Sequence, residues 1–333
     1  MAHELEMLAN GQAATFYVGE VPWHGLGTKL DKPPTVEEGI KAAGLDWTVS
    51  KRPLFLADGV ETPLFATVRD SDDRVLGSVL RRYTVLQNLE AFKWFQPFLD
   101  SGAATLETAG SLKEGRNVWV MAKIAGMEAD ILPGDPVHGY LLLSNSHDGT
   151  TTIRAGFSGI RVVCQNTLSL AHHHGNLVQI RHMSNAKDAL DLVRDTMDLA
   201  GRIFTKSAED MRRMINRTIT DEMFEEYVVR VFFPKKEPKK ELSEKEAEEL
   251  VADALQEVNH QKLLNKIKPL WYAGRGVNIP GVRGTPWAAY NSVTVYLTWE
   301  RGGSNDNRLH SLWFGESEKT VARAFKEAQL LSA

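Results

Sequence analysis

The chain has 333 residues, 43% of them hydrophobic and 25% charged, with a formal net charge of −4. Those proportions suit an ordinary globular protein of two domains, or of one large domain with an appendage. They exclude a polycation that coats DNA non-specifically, while leaving room for a local basic face.

Residues 1–34 are rich in glycine and read as irregular, pinned by Phe16, Tyr17 and Trp23. Thr35 before "VEEGIKAAG" predicts a capped helix that stops at Gly44. Three β-like runs follow at 46–57, 63–70 and 74–87, separated by the turn signals "DGVET" and "SDD". Asn88 then reads as the cap of a helix to about residue 100, which Pro97 kinks or shortens. Strands are expected again at 104–112, 117–126, 138–146, 150–158 and 176–182. The "HDG" between two of them is a hairpin signal.

From residue 184 the apolar spacing turns helical, with Leu190, Val193, Met197, Ala200, Phe204, Met211, Met214 and Ile215 at intervals of three and four. "TDEMFEEYVVRVF" reads as another helix and "FPKKEPKK" as a linker. A capping box of Ser243 and Glu246 opens one long helix. "PWAAYNSVTVYLTWERG" reads as helical or mixed, and "EKTVARAFKEAQLL" as a last amphipathic helix. The fold class expected is α+β. A β-rich domain (1–183) has a β-β-β-α core, and a mainly helical region (184–333) stands after it or packs back on it. The aromatic residues Trp271, Tyr272, Trp287, Tyr290, Trp299 and Trp313 serve a packed core or an oligomer interface.

The single cysteine excludes an internal disulfide framework. The N-terminus lacks the pattern of a signal peptide, and no apolar stretch nears the ~20 residues that span a bilayer. A soluble, cytoplasmic protein with no membrane role is expected.

Chemistry is sparse. Cys164 can be paired on paper with His147 or His172, but a buried cysteine also packs as a small hydrophobe. His172, His173 and His174 are consecutive and share no face of a strand or helix, so they make a poor chelate unless His147 and His182 join them in space. Asp148 has a backbone reason to stand in a turn. Phosphate loops, dinucleotide fingerprints and nucleophile elbows are missing. No cofactor and no metal is expected. Arg81, Arg82, Arg154 and Arg161 lie at strand ends or in hairpins, with Tyr83 and Phe157 close in sequence. Cations and stacking rings on a sheet are how single-stranded nucleic acid is held without a base code.

The blocks "PWHGLGT" (22–28), "NSHDGT" (145–150), "IRVVCQNTL" (160–168) and "SLWFG" (311–315) resemble the signature blocks of the phage/plasmid-like protein family of unknown function. That resemblance implies a mobile-element protein in a bacterial cytoplasm and no particular reaction. The β-β-β-α unit is also similar to the core of Rad52-like single-strand annealing proteins. The expectation is a non-catalytic protein that binds single-stranded DNA in replication, recombination or maintenance and forms a homo-oligomer. Arg81, Arg82, Arg154 and Arg161 would meet phosphates, and Tyr83 or Phe157 would stack on bases. The alternatives are a hydrolase or transferase whose polar site draws on His24, His147, Asp148, Cys164 and Asn166, and a protein-interaction factor acting on host systems.

Overall fold

The structure is a computed structural model that describes residues 5–19, 26–161, 177–195, 198–234, 246–301, 311 and 316–332. Its architecture is α+β, with strands in the N-terminal part and helices in the C-terminal part. Two strands form where the sequence reads as irregular: β1 (Thr15–Val18) and β2 (Thr28–Leu30), which pair in parallel. Phe16 and Tyr17 of β1 are buried and anchor it. Helix α1 (Val36–Ala42) begins at the predicted cap, with Thr35 Oγ1 accepting from Glu38 N–H and Glu38 returning to Thr35 N–H.

Strands β3 (Val49–Phe55), β4 (Glu61–Arg69) and β5 (Arg74–Leu80) form an antiparallel sheet of their own, in the order β3-β4-β5. The strand expected to reach residue 87 ends at Leu80. Beyond it, Lys51 Nζ donates to the carbonyls of Arg81 and Tyr83 at 2.8 and 2.7 Å. Those carbonyls are thereby satisfied away from any ladder, and residues 83–87 run irregularly to the next helix.

The helix predicted over 88–100 is two pieces, α2 (Asn88–Lys93) and α3 (Gln96–Asp100), with Pro97 in the first turn of the second. Gln87, not Asn88, sits at the cap position, and its N–H donates to Glu90. The side chain of Asn88 points inward instead.

The main sheet adds β6 (Ala104–Leu112), β7 (Asn117–Asp130), β8 (Pro136–Ser146), β9 (Ile153–Arg161) and β10 (Leu177–Ile180) to β1 and β2, in the order β10-β9-β8-β7-β6-β1-β2. Strands β6 to β10 form an antiparallel meander with the predicted hairpin between β8 and β9. One face of this sheet, with Phe16, Leu106 and Phe157, packs on helices. A Cβ added to Gly39 of α1 would lie 3.3 Å from Leu106.

Helices α4 (Ala186–Asp195) and α5 (Asp198–Ile215) pack back on β9 and its neighbours. Trp94 Nε1 donates to Leu190 O at 2.9 Å, and the Phe204 ring meets Phe157 edge-on at 6.1 Å. Helices α6 (Asp221–Phe232), α7 (Glu246–Ala273), α8 (Pro286–Val295) and α9 (Glu316–Ser332) complete the chain, with a π-helical turn at Tyr296–Glu300. Every residue of α8 is buried, and its polar Asn291, Ser292 and Thr294 are satisfied by carbonyls of the same helix. Phe224 stacks on Trp271 at 4.5 Å and Tyr290 meets Phe325 at 5.3 Å, so these rings fill the chain's own core. Among the described residues no helix is long and apolar enough to cross a membrane.

Candidate functional site

The turn between β8 and β9 organises one polar cluster. Asp148 Oδ1 accepts from the N–H of Thr150 at 3.0 Å, from Thr150 Oγ1 at 2.6 Å and from Ser146 Oγ. That is an Asx-type turn, and Gly149 supplies the positive φ (+74°) that closes it. The tip then docks on the small sheet. A Cβ on Gly77 of β5 would lie 2.6 Å from Asp148 Cα, and one on Gly149 would lie 2.9 Å from Val79 Cγ1.

His147 precedes this turn and is fully buried. Its Nε2 is 2.9 Å from Asn88 Oδ1, and its ring lies 5.4 Å from that of Trp47. Burial depresses its pKa to about 3, an effect reinforced by His182 and opposed by Asp148. The ring is therefore neutral at pH 7. Trp47 is itself held by its Nε1–H on Gly44 O at 3.0 Å, and Arg69 lies over its ring at 5.0 Å. His182 is also buried. Its Nδ1 is 3.2 Å from Thr84 O, and Tyr83 stacks on it at 4.4 Å between centroids. Burial lowers the His182 pKa as well, against the carbonyls of Thr84 and Thr151. Tyr83 donates its hydroxyl to Ser146 O, and burial raises its pKa. His147 Nδ1, His182 Nε2 and Thr151 Oγ1 are buried and make no hydrogen bond.

A second cluster lies on the small sheet. Lys51 Nζ and Arg81 Cζ both stand over the Phe65 ring, at 5.3 and 5.7 Å. Arg81 and Arg82 are exposed. Phe55 (56% exposed), Leu56, Val60 and Leu80 leave large apolar surfaces at the same end of the sheet.

The other residues singled out from the sequence are dispersed. Tyr83 is committed to His182 and Ser146, and Phe157 is enclosed against Phe204, so neither ring offers a free face for stacking. Arg154 is half-buried in the main sheet between Ser144 and Gln179. Arg161 pairs with Val137 at the far end of β9. Arg154 and Arg161 thus belong to a strand of the main sheet, whereas Arg81 and Arg82 follow the last strand of the small one. His24, Cys164, Asn166 and the run His172–His174 lie outside the described residues. Sequence reasoning missed Asn88 as a buried partner of His147, and Lys51 and Phe65 as companions of Arg81. The alternation in "SKRPLF" was the available signal for Lys51, since the strand period puts Lys51 and Pro53 on one face of a half-exposed strand.

The fold and these clusters define an α+β protein with an open basic and aromatic sheet end and a buried histidine pair. A family model described as a domain of unknown function, DUF932, matches residues 75–313, and the chain belongs to that family. The blocks at 145–150 and 160–168 fall inside the match, and "PWHGLGT" at 22–28 falls before it. No curated protein and no solved structure matches the chain.

Proposed function

We propose that this protein is a phage- or plasmid-borne factor that binds single-stranded DNA at the open end of its three-stranded sheet, in replication, recombination or maintenance of the element, without catalysing a reaction. The observation that carries this reading is the state of the cations on that sheet. Arg52 is paired with Asp70 and Asp73, Arg69 with Glu6 and Asp72, and Arg74 with Asp72 and Glu114. Among the described residues Arg81 and Arg82 have no carboxylate partner, although both are exposed. Arg81 stands over Phe65, and Phe55 is exposed on the same sheet. Unpaired guanidinium groups supply phosphate contacts, and an exposed ring supplies a face for any base. Strands β3 to β5 with α2 also form the β-β-β-α unit whose likeness to annealing proteins favours the same partner.

The hydrolase or transferase alternative has less support. His147 is sealed from solvent, and Asp148 is committed to its turn.

Fluorescence anisotropy with a labelled single-stranded oligonucleotide over a salt series tests the proposal. Binding should be micromolar or tighter at low salt and weaken steeply with added salt. Replacing Arg81 and Arg82 by Glu should weaken it at least about tenfold and flatten the slope. Affinity no better than about 100 µM, with no salt dependence, would overturn it.

A further inference from the structure

We propose that His147 Nδ1 and His182 Nε2, with Thr151 between them, form a binding site for one divalent first-row transition-metal ion of the zinc class. Asn88 Nδ2 donates to Leu45 O at 3.0 Å and reaches Trp47 O at 3.4 Å, so its Oδ1 is the atom that faces His147. An amide oxygen only accepts, and therefore His147 carries its proton on Nε2 and a bare lone pair on Nδ1. Thr84 O is likewise only an acceptor, so His182 carries its proton on Nδ1 and a bare lone pair on Nε2. Both lone pairs are buried and meet no donor. An imidazole whose far N–H is clamped on an oxygen while its other nitrogen is free is how metal-binding histidines are prepared.

The strand register also brings the two residues toward each other, and His182 acts electrostatically on His147. Ser144 pairs with Arg154, and Ile153 with Ile180. Carried past the last paired residues, this register sets His147, Thr151 and His182 in one row across three adjacent strands, on the side of the sheet that faces Trp47 and Tyr83. Two strand spacings separate the histidine backbones by about 10 Å. Two imidazole arms and two metal–nitrogen bonds of about 2.0–2.1 Å span that distance. Thr151 Oγ1 lies in the gap, buried and without a hydrogen bond. The Thr151 backbone carbonyl acts on His182 as an acceptor that favours its protonated form, while Nε2 itself makes no hydrogen bond.

Among the described residues no group of three or more His, Cys, Asp or Glu side chains is placed to hold a metal. The remaining positions therefore fall to a Thr151 oxygen and water, with Asp148 supplying a negative charge that both rings feel. Neutral imidazoles select zinc, cobalt, nickel or copper over magnesium or calcium.

The test uses the full chain stripped with a chelator and titrated with Co²⁺, followed by Zn²⁺ displacement. One equivalent of Co²⁺ should bind with visible absorption of four-coordinate type. X-ray absorption of the zinc-loaded protein should count two imidazole ligands. Both readouts use the unmodified chain, so they hold even if a variant fails to fold. His182→Gln should weaken binding at least about a hundredfold. A variant with His172, His173 and His174 replaced by Gln should bind as the parent does. Less than about 0.2 equivalents bound, fewer than two imidazoles, or loss of binding in the triple variant with retention in His182→Gln would each overturn the site. A water held between the two rings is what the first of those results would leave.

Discussion

Asn88 Oδ1 lies 2.9 Å from His147 Nε2, and Asn88 Nδ2 donates to the carbonyl of Leu45. One side chain thus closes three buried polar groups and ties α2 to the end of β8. Asn88→Ala leaves those groups without partners. An unsatisfied buried group costs about 1–3 kcal/mol, and relaxation lowers the sum, so a loss of about 3 kcal/mol is expected in urea unfolding. Asn88→Asp should do no better at pH 7, because an ionised carboxylate cannot donate to Leu45. A change under about 0.5 kcal/mol for Asn88→Ala would show that the amide is not carrying these contacts.

Glu6 and Arg69 form an ion pair whose side chains are 5% and 6% exposed, and Glu6 also accepts from Ser111 Oγ at 2.8 Å. Removing one member leaves a buried charge alone, which costs about 3–5 kcal/mol. Arg69→Met should cost at least as much as Glu6→Gln, since Arg69 also binds Asp72 and covers Trp47. The double variant should lose less than the sum of the two, with a coupling of about 1–3 kcal/mol in a double-mutant cycle. Strict additivity would mean that the pair is not formed in solution.

Gly77 is where the β8–β9 tip rests on the small sheet. Its added Cβ would meet Asp148 Cα at 2.6 Å and Asp148 O at 2.9 Å, both backbone atoms that cannot swing aside. Gly77→Ala should cost about 1–3 kcal/mol through overpacking. Gly59 at the open end of the small sheet has nothing within 4 Å of its added Cβ, and only its φ of +86° resists substitution. Gly59→Ala should therefore cost about 1 kcal/mol. Chemical denaturation of the two variants side by side gives the order, and an equal or reversed order would place the tip off the sheet.

Glu107 is partly enclosed on β6, and burial raises its pKa against the lowering effect of Lys123. A carboxyl raised in the folded state binds a proton more readily there than in the unfolded chain. Its contribution is most favourable below the ordinary value of 4.5 and is lost as pH rises through the raised one. Glu107→Gln removes that loss. The variant should melt higher than the parent at pH 7 and converge with it near pH 4. Thermal unfolding at the two pH values checks the direction, and a variant that melts lower at pH 7 would show that Lys123 dominates.

Much of the chain was legible because its signals are local. The capping box of Thr35 and Glu38, the Asp148-Gly149 turn and the strand at 104–112 each rest on residues a few positions apart, and each stands where the sequence put it. Pro97 marked the helix break because its ring and missing N–H disfavour a helix interior, and it falls in the first turn of the second piece. Asn88 misled because a good cap residue is also a good buried hydrogen-bonding partner, and the choice between those uses was made by His147, which lies 59 positions away.

Apart from β1 and β2, the alternation and capping signals thus determined which segments are strands and which are helices, and where most of them turn. Tertiary structure alone decided that β3, β4 and β5 would leave the main sheet, and that β1 would extend it by pairing Thr15 with Gly110. It also decided which polar groups would meet. Arg81 finds Lys51 over a shared Phe65 ring, and His147 and His182 come within electrostatic reach of each other. The reason is one of range. Backbone propensity and turn chemistry act over a few residues, whereas register and burial are set by whichever distant surfaces exclude water together.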